Sequence, residues 1–218
     1  LREREELMRF LEARECANFV SLSGDNHNTF AGVVSPTYGH PTPEAAAESA
    51  LGAEFSICGI SSPSVFQALL QAVAPDSPLR PLVTGDGRIQ SEQEVSLNMT
   101  FQHGARASVT AANTGDAAQG LQAANPAHNS HLRYVDSSAH GIGVVTVTGA
   151  GVETEMVTIP SSTSAPQDAG PTPLRTARFR LASREAGAPV ELRGPDVSGT
   201  PPFPRSATQE ERSSALVP

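Results

Sequence analysis

The chain has 218 residues and a formal net charge of −8, with 38% hydrophobic residues, no tryptophan, and 18 glycines and 18 prolines. That composition describes a loop-rich chain still able to bury a core. Every basic residue is arginine, and the acidic excess argues against non-specific nucleic-acid binding or adhesion to an anionic membrane, both of which want a positive face. No apolar run approaches the ~18 residues that cross a bilayer. Cys16 and Cys58 allow at most one disulfide, a count that fits either redox compartment.

Leu1-Arg2-Glu3-Arg4-Glu5-Glu6 is too charged for a signal peptide, and the chain is read as starting within a longer protein. Up to about Arg14, Leu7, Met8, Phe10 and Leu11 form the stripe of an amphipathic surface helix. Phe19, Val20 and Leu22 then predict a short, largely buried strand over 17–23, expected at the centre of a sheet, with the polar turn Gly24-Asp25-Asn26-His27-Asn28 at its carboxyl end. Ligand sites of open α/β sheets favour that edge. Residues 33–51 read as a loop with one helical turn at Pro43–Ala50, and Ala53–Ile60 as a strand stopped by Ser61-Ser62-Pro63. Ser64 is a helix cap, with the helix running to about Val73.

Residues 74–90 look like loop, 91–115 carry no clear pattern, and Asp116–Ala124 predicts a helix ended by Asn125-Pro126. Three runs, 131–136, 142–148 and 152–159, predict a three-stranded antiparallel meander, the last two joined by Gly149-Ala150-Gly151. After a Ser, Thr and Pro-rich loop, Thr176–Ser183 is one more strand, with Val190-Glu191-Leu192 as its partner. Residues 194–218 hold five prolines and few apolar groups, which predicts a mostly disordered tail behind a 1–193 domain.

The turn carries the strongest chemical signal. If 24–28 is extended, residues two apart project to one side, so the Asp25 carboxylate and His27 imidazole share a point that Asn26 avoids. Oxygen plus nitrogen donors suit Zn, Fe or Mn. Taken alone an Asp-x-His is an ordinary polar turn, because a metal needs ~4 to 6 donors. His128 and His131 read as solvent-exposed, His140 as a structural or supporting group at a strand start, and Asn28 either as a contact to phosphate or His27 or as a turn-stabilising side chain. Cys16 and Cys58 read as small buried hydrophobes. No nucleophile elbow and no phosphate-cradling Gly-Lys-Ser loop are present.

Several pieces then fall in a telling order: Phe19 to Asn28 with its Gly24-Asp25-Asn26-His27, Glu54-Phe55 closed by Ser61-Ser62-Pro63, Asn125-Pro126, and Leu132 to Asp136 leading to His140-Gly141. This pattern resembles the C-terminal half of the alkaline phosphatase D family of calcineurin-like metallophosphatases, over about residues 1–193. The resemblance implies an α/β fold, the C-terminal half of an αββα metallophosphoesterase sandwich with an antiparallel hairpin region. It implies Asp25 and His27 as metal ligands, a weaker substrate-side or supporting place for Asn28 and His140, and two or more metal ions drawn from Fe, Ca, Zn or Mn. It further implies a bacterial enzyme, periplasmic or extracellular, that hydrolyses phosphate esters. Ile142 stands where the family carries Tyr or Trp after His-Gly, and the family's N-terminal ligand motifs are not in these residues. The chain is therefore expected to hold one corner of a binuclear site and to be catalytically incomplete alone. The alternative is a non-catalytic β-rich accessory or binding module.

Overall fold

The computed structural model describes residues 2–84, 96–160, 170, 172–200 and 202. Eight strands form two four-stranded sheets. In the first, β1 (Phe19–Ser23), β3 (Gly52–Ser56), β2 (Thr29–Val34) and β4 (Leu132–Asp136) lie in that order, β1 parallel to β3 and the other pairs antiparallel. The second is an antiparallel meander of β5 (His140–Thr148), β6 (Gly151–Ile159), β7 (Arg175–Ala182) and β8 (Leu192–Gly199).

Alternation dictates the packing. Residues 154, 156 and 158 of β6 and 175, 177, 179 and 181 of β7 are buried while their neighbours are more open, so one face of the second sheet is dry. It meets Ala31, Val33, Ala53, Phe55 and Tyr134 of the first sheet in a single core. Phe179 sits at its centre, 5.8 Å from the Phe55 ring and 6.0 Å, edge to face, from Tyr134. Gly143 lets the sheets close: a Cβ there would fall 2.6 Å from the Ile57 side chain.

A helical group fills the interval between β3 and β4. It comprises α3 (Val65–Ala72), α4 (Arg80–Thr84), α5 (Ser96–His103), α6 (Ala105–Thr114) and α7 (Ala117–Gln122), while α1 (Arg2–Ala13) and α2 (Pro43–Glu48) lie elsewhere. Ser64 and Gln67 build the reciprocal capping box that starts α3. Gly120 allows α7 onto α6, since a Cβ would come within 2.7 Å of the Ala107 carbonyl and the Ala111 methyl.

Several expectations need correction. β1 lies at the edge of its sheet, and Leu22 is 60% exposed. β2 occupies a segment in which no strand was expected, and it is central. The patternless stretch contains α5 and α6, buried through Leu97 and Met99 in the first and through the small Ala107 and Ser108 in the second. Within the expected loop 74–90 the chain forms the short helix α4, and residues 85–95, the end of that loop and the start of the patternless stretch, lie outside the described residues. β4 is a strand as expected, but it pairs with β2 in the first sheet, so the meander begins at β5. Finally, β8 runs through Gly199 against Arg175, so the first residues of the expected tail are strand. Residues 203–218 lie outside the described residues.

Candidate active site

Three carboxyl strand ends, Ser23 of β1, Ser56 of β3 and Asp136 of β4, gather at one edge of the first sheet, together with Thr29, the first residue of β2. The 24–28 turn and the 137–139 corner leave from this edge. The turn is not extended: Asp25 (φ 68°) and His27 (φ 55°) both occupy the left-handed region. Residues two apart therefore do not share a side by strand alternation, and what sets these two side chains is a pair of strained positions on either side of Asn26. A left-handed backbone in a non-glycine residue costs roughly 1 kcal/mol or more and persists where its surroundings fix it.

Those surroundings are specific. Asn26 donates from Nδ2 to Ser56 Oγ at 2.8 Å and accepts the Asn28 N–H on Oδ1 at 2.9 Å. The Pro63 carbonyl, which can only accept, lies 2.6 Å from His27 Nδ1, so Nδ1 carries the proton and in the neutral ring the lone pair belongs to Nε2. The His27 carbonyl accepts the Val65 N–H at 3.2 Å. Asn28 is buried with Oδ1 left without a hydrogen-bond partner.

The other candidates fall in different places. His140 is fully buried at the start of β5, with neither ring nitrogen hydrogen bonded. His128 and His131 are half-buried where solvent exposure was expected: His131 stacks edge-on against Tyr38 at 5.3 Å, and His128 packs against Gly104. Among the described residues no group of three or more His, Cys, Asp or Glu stands ready to hold a metal. The donor chemistry of Asp25 and His27 nonetheless fits a divalent cation, an exposed carboxylate beside an imidazole that keeps Nε2 available. A cavity of about 430 Å³ between α1 and the outer face of the first sheet reaches Asn26 and Ser56, but neither Asp25 nor His27 lines it.

Sequence reasoning did not find the polar knot beside this edge. Asp136, wholly buried, stands with Oδ2 3.1 Å from Arg175 Nε, and it accepts hydrogen bonds from Ser138 at 3.1 Å and Thr158 at 3.3 Å. The pair joins β4 of the first sheet to β7 of the second. Arg175 opens the alternation of β7 at a buried position, which is the one signal that pointed to it.

Two titrations have measurable consequences. Burial, and next the neighbouring His128, holds His103 below the usual imidazole range; burial, then Arg133 and Arg4, does the same to His131. Below about pH 6.5 the unfolded chain takes up protons that these folded rings refuse, so stability falls as pH drops through that window and is level above it. Urea midpoints will hold steady above about pH 7 and fall towards about pH 5, and the fall will be smaller in His103→Gln and His131→Gln. Burial also pushes the Cys58 thiol up to about 11, whereas Cys16 is half-buried. A chromogenic disulfide reagent near pH 8 will titrate Cys16 rapidly and Cys58 only on unfolding; equal rates would contradict the buried setting.

The class is now defined: a mixed α/β protein of two face-packed sheets with a strained Asp-x-His turn at a strand's carboxyl end. A family profile described as PhoD-like phosphatase matches residues 1–156, and the chain belongs to that family. A solved structure described as "Structure of PhoD" is similar at 13% identity and a TM-score of 0.46, over 97% of this chain and 28% of that one. The chain thus spans about 28% of the length of that solved relative. No curated protein matches the chain. No helix among the described residues is long and apolar enough to cross a membrane.

Proposed function

We propose that the protein hydrolyses phosphate esters with the help of bound metal ions, and that this chain contributes Asp25 and His27 as ligands at one corner of a two-metal site. Residues 1–193 then belong to the C-terminal portion of a calcineurin-like αββα metallophosphatase domain, exported to a periplasmic or extracellular location. The observation that carries the reading is the turn itself: two ligand-type side chains held in left-handed backbone at a strand's carboxyl end, within the span matched to a phosphatase family. Strain of this kind concentrates at functional positions.

When bound, a pair of divalent cations activates water and neutralises charge on the transferring phosphoryl group. The chain's own part is geometric. His27 presents Nε2, Asp25 supplies a carboxylate, and Asn26 anchors the turn to β3 through Ser56. Asn28 and His140 belong nearby as supporting groups, each with buried polar atoms lacking hydrogen-bond partners.

Two donors hold a cation weakly. Calorimetric titration of the 218-residue chain with Zn or Mn should therefore give weak binding that His27→Ala abolishes, and the chain alone should hydrolyse p-nitrophenyl phosphate no faster than buffer. Binding of equal strength in His27→Ala would refute the assignment and favour a non-catalytic module. Metal-dependent turnover by the chain alone would overturn its incompleteness.

A further inference from the structure

We infer that residues 63–65, which open α3, are positioning residues that set the tautomer and aim of His27: the Pro63 carbonyl takes the proton of Nδ1 while the Val65 N–H holds the His27 carbonyl. The inference rests on the reading of His27 as a ligand, and deepens it. The two contacts, 2.6 Å and 3.2 Å, grip the residue by its ring and by its backbone. Neither depends on which side chain occupies 63 or 65, so both are invisible to a search for ligand-type residues.

The grip is itself anchored. Ser64 is buried, accepts the Gln67 N–H on Oγ at 3.2 Å, and donates its own N–H to Gln67 Oε1 at 3.0 Å, which fixes the backbone between the two contacts. The next amide, Phe66 N–H, donates to the Ser137 carbonyl at 3.0 Å, and Ser137 is held in turn by Asn98 Oδ1 at 2.7 Å to its N–H and 2.6 Å to its hydroxyl. The first turn of α3 thus ties the Asp25–His27 turn to the corner between β4 and β5. A helix's first amides have no partners within the helix, so here they are spent on site geometry. The left-handed φ of His27 needs such a restraint, since an unrestrained non-glycine residue leaves that region.

Val65→Pro tests this directly. It deletes the one N–H that holds the His27 carbonyl, and proline is well accepted at the first position of a helix. Ser64 already has the extended backbone (φ −69°, ψ 161°) that a residue before proline requires. Val65→Ala keeps the N–H and serves as the control. Two readouts are taken on the whole chain: the ¹⁵N spectrum of the His27 ring without metal, and calorimetric affinity for Zn.

The wild type should show the Nδ1-protonated tautomer. Val65→Pro should give a mixture of tautomers and an affinity lower by roughly tenfold, the scale of losing a partner behind a metal ligand, while Val65→Ala changes neither. A wild-type ring protonated at Nε2, a Val65→Pro protein indistinguishable from wild type, or a Val65→Ala protein that behaves like Val65→Pro would each overturn the inference. Should Val65→Pro not fold, Ser64→Gly loosens the same backbone, and an unchanged His27 spectrum there is equally fatal. If wild type and His27→Ala bind Zn alike, the ligand reading fails, and the metal-free spectrum still decides the positioning.

Discussion

Arg175→Met will destabilise the chain by about 3–5 kcal/mol, because it strands a carboxylate in the interior without the cation beside it. Asp136 is fully buried, and the guanidinium 3.1 Å away is the cation that compensates it. A small domain has roughly 5–15 kcal/mol in total, so the loss takes a large share of the folded state's margin. The double variant Asp136→Leu with Arg175→Met should recover much of it, since removing both charges removes the desolvation penalty together with the attraction. Urea unfolding of the three proteins decides the matter. A single-variant loss under about 1 kcal/mol, or a double variant worse than either single one, would show that the pair does not join the sheets as described.

His27→Ala has the second large effect, and it acts twice. If His27 is a metal ligand as proposed, the substitution should lower phosphatase activity of the full-length protein by more than about 100-fold, beyond the range seen when only a partner behind a ligand is removed. As a backbone change, it should also cost roughly 1–2 kcal/mol, because alanine tolerates φ near 55° poorly and the Pro63 carbonyl loses its donor. Although His27 lies in a turn, its left-handed backbone is what makes the substitution costly to the fold. Asp25→Asn separates the two effects, since asparagine suits the left-handed region as well as aspartate does. It should weaken metal binding while shifting stability by less than about 0.5 kcal/mol. Thermal melts beside metal titrations read both quantities, and a large stability loss in Asp25→Asn would break the separation.

The β5–β6 hairpin was legible because valine and threonine alternate on both sides of Gly149-Ala150-Gly151, a local pattern with a local partner. β4 was legible as a strand but not in its pairing, since its partner β2 lies about a hundred residues away in sequence, where alternation carries no address. β2 itself was hidden: Thr29–Val34 is buried on nearly every residue, and Gly32 and the following proline read as loop. The helix α6 lacked a stripe because its buried face is made of small residues, Ala107 and Ser108, and α5 lacked one because its buried residues 96–99 are consecutive and mix Ser and Asn with Leu and Met. At the site, the identities of Asp25 and His27 were plain from the sequence and their backbone was not, because Asp and His visit the left-handed region more often than most residues but still in a minority of cases. The contacts from Pro63 and Val65 were beyond reach for another reason: both come from main-chain atoms.

β5 has one further consequence. It is an outer strand of nine residues with no charge and no proline, and Ile142, Val144 and Val147 stand 49%, 49% and 73% exposed. Gly141 turns its N–H away from β6 to reach the Gly59 carbonyl, and by strict alternation Gly143, Val145 and Val147 turn their amides and carbonyls the same way, where no described strand lies beside them. Such a margin is a template for further strands, and its lack of lysine, proline or bulge leaves it without the usual guards. In concentrated solution the chain's colloidal behaviour will be governed there: self-association will grow with concentration and respond weakly to salt, because the seam is made of backbone and valine and the net charge of −8 resides elsewhere.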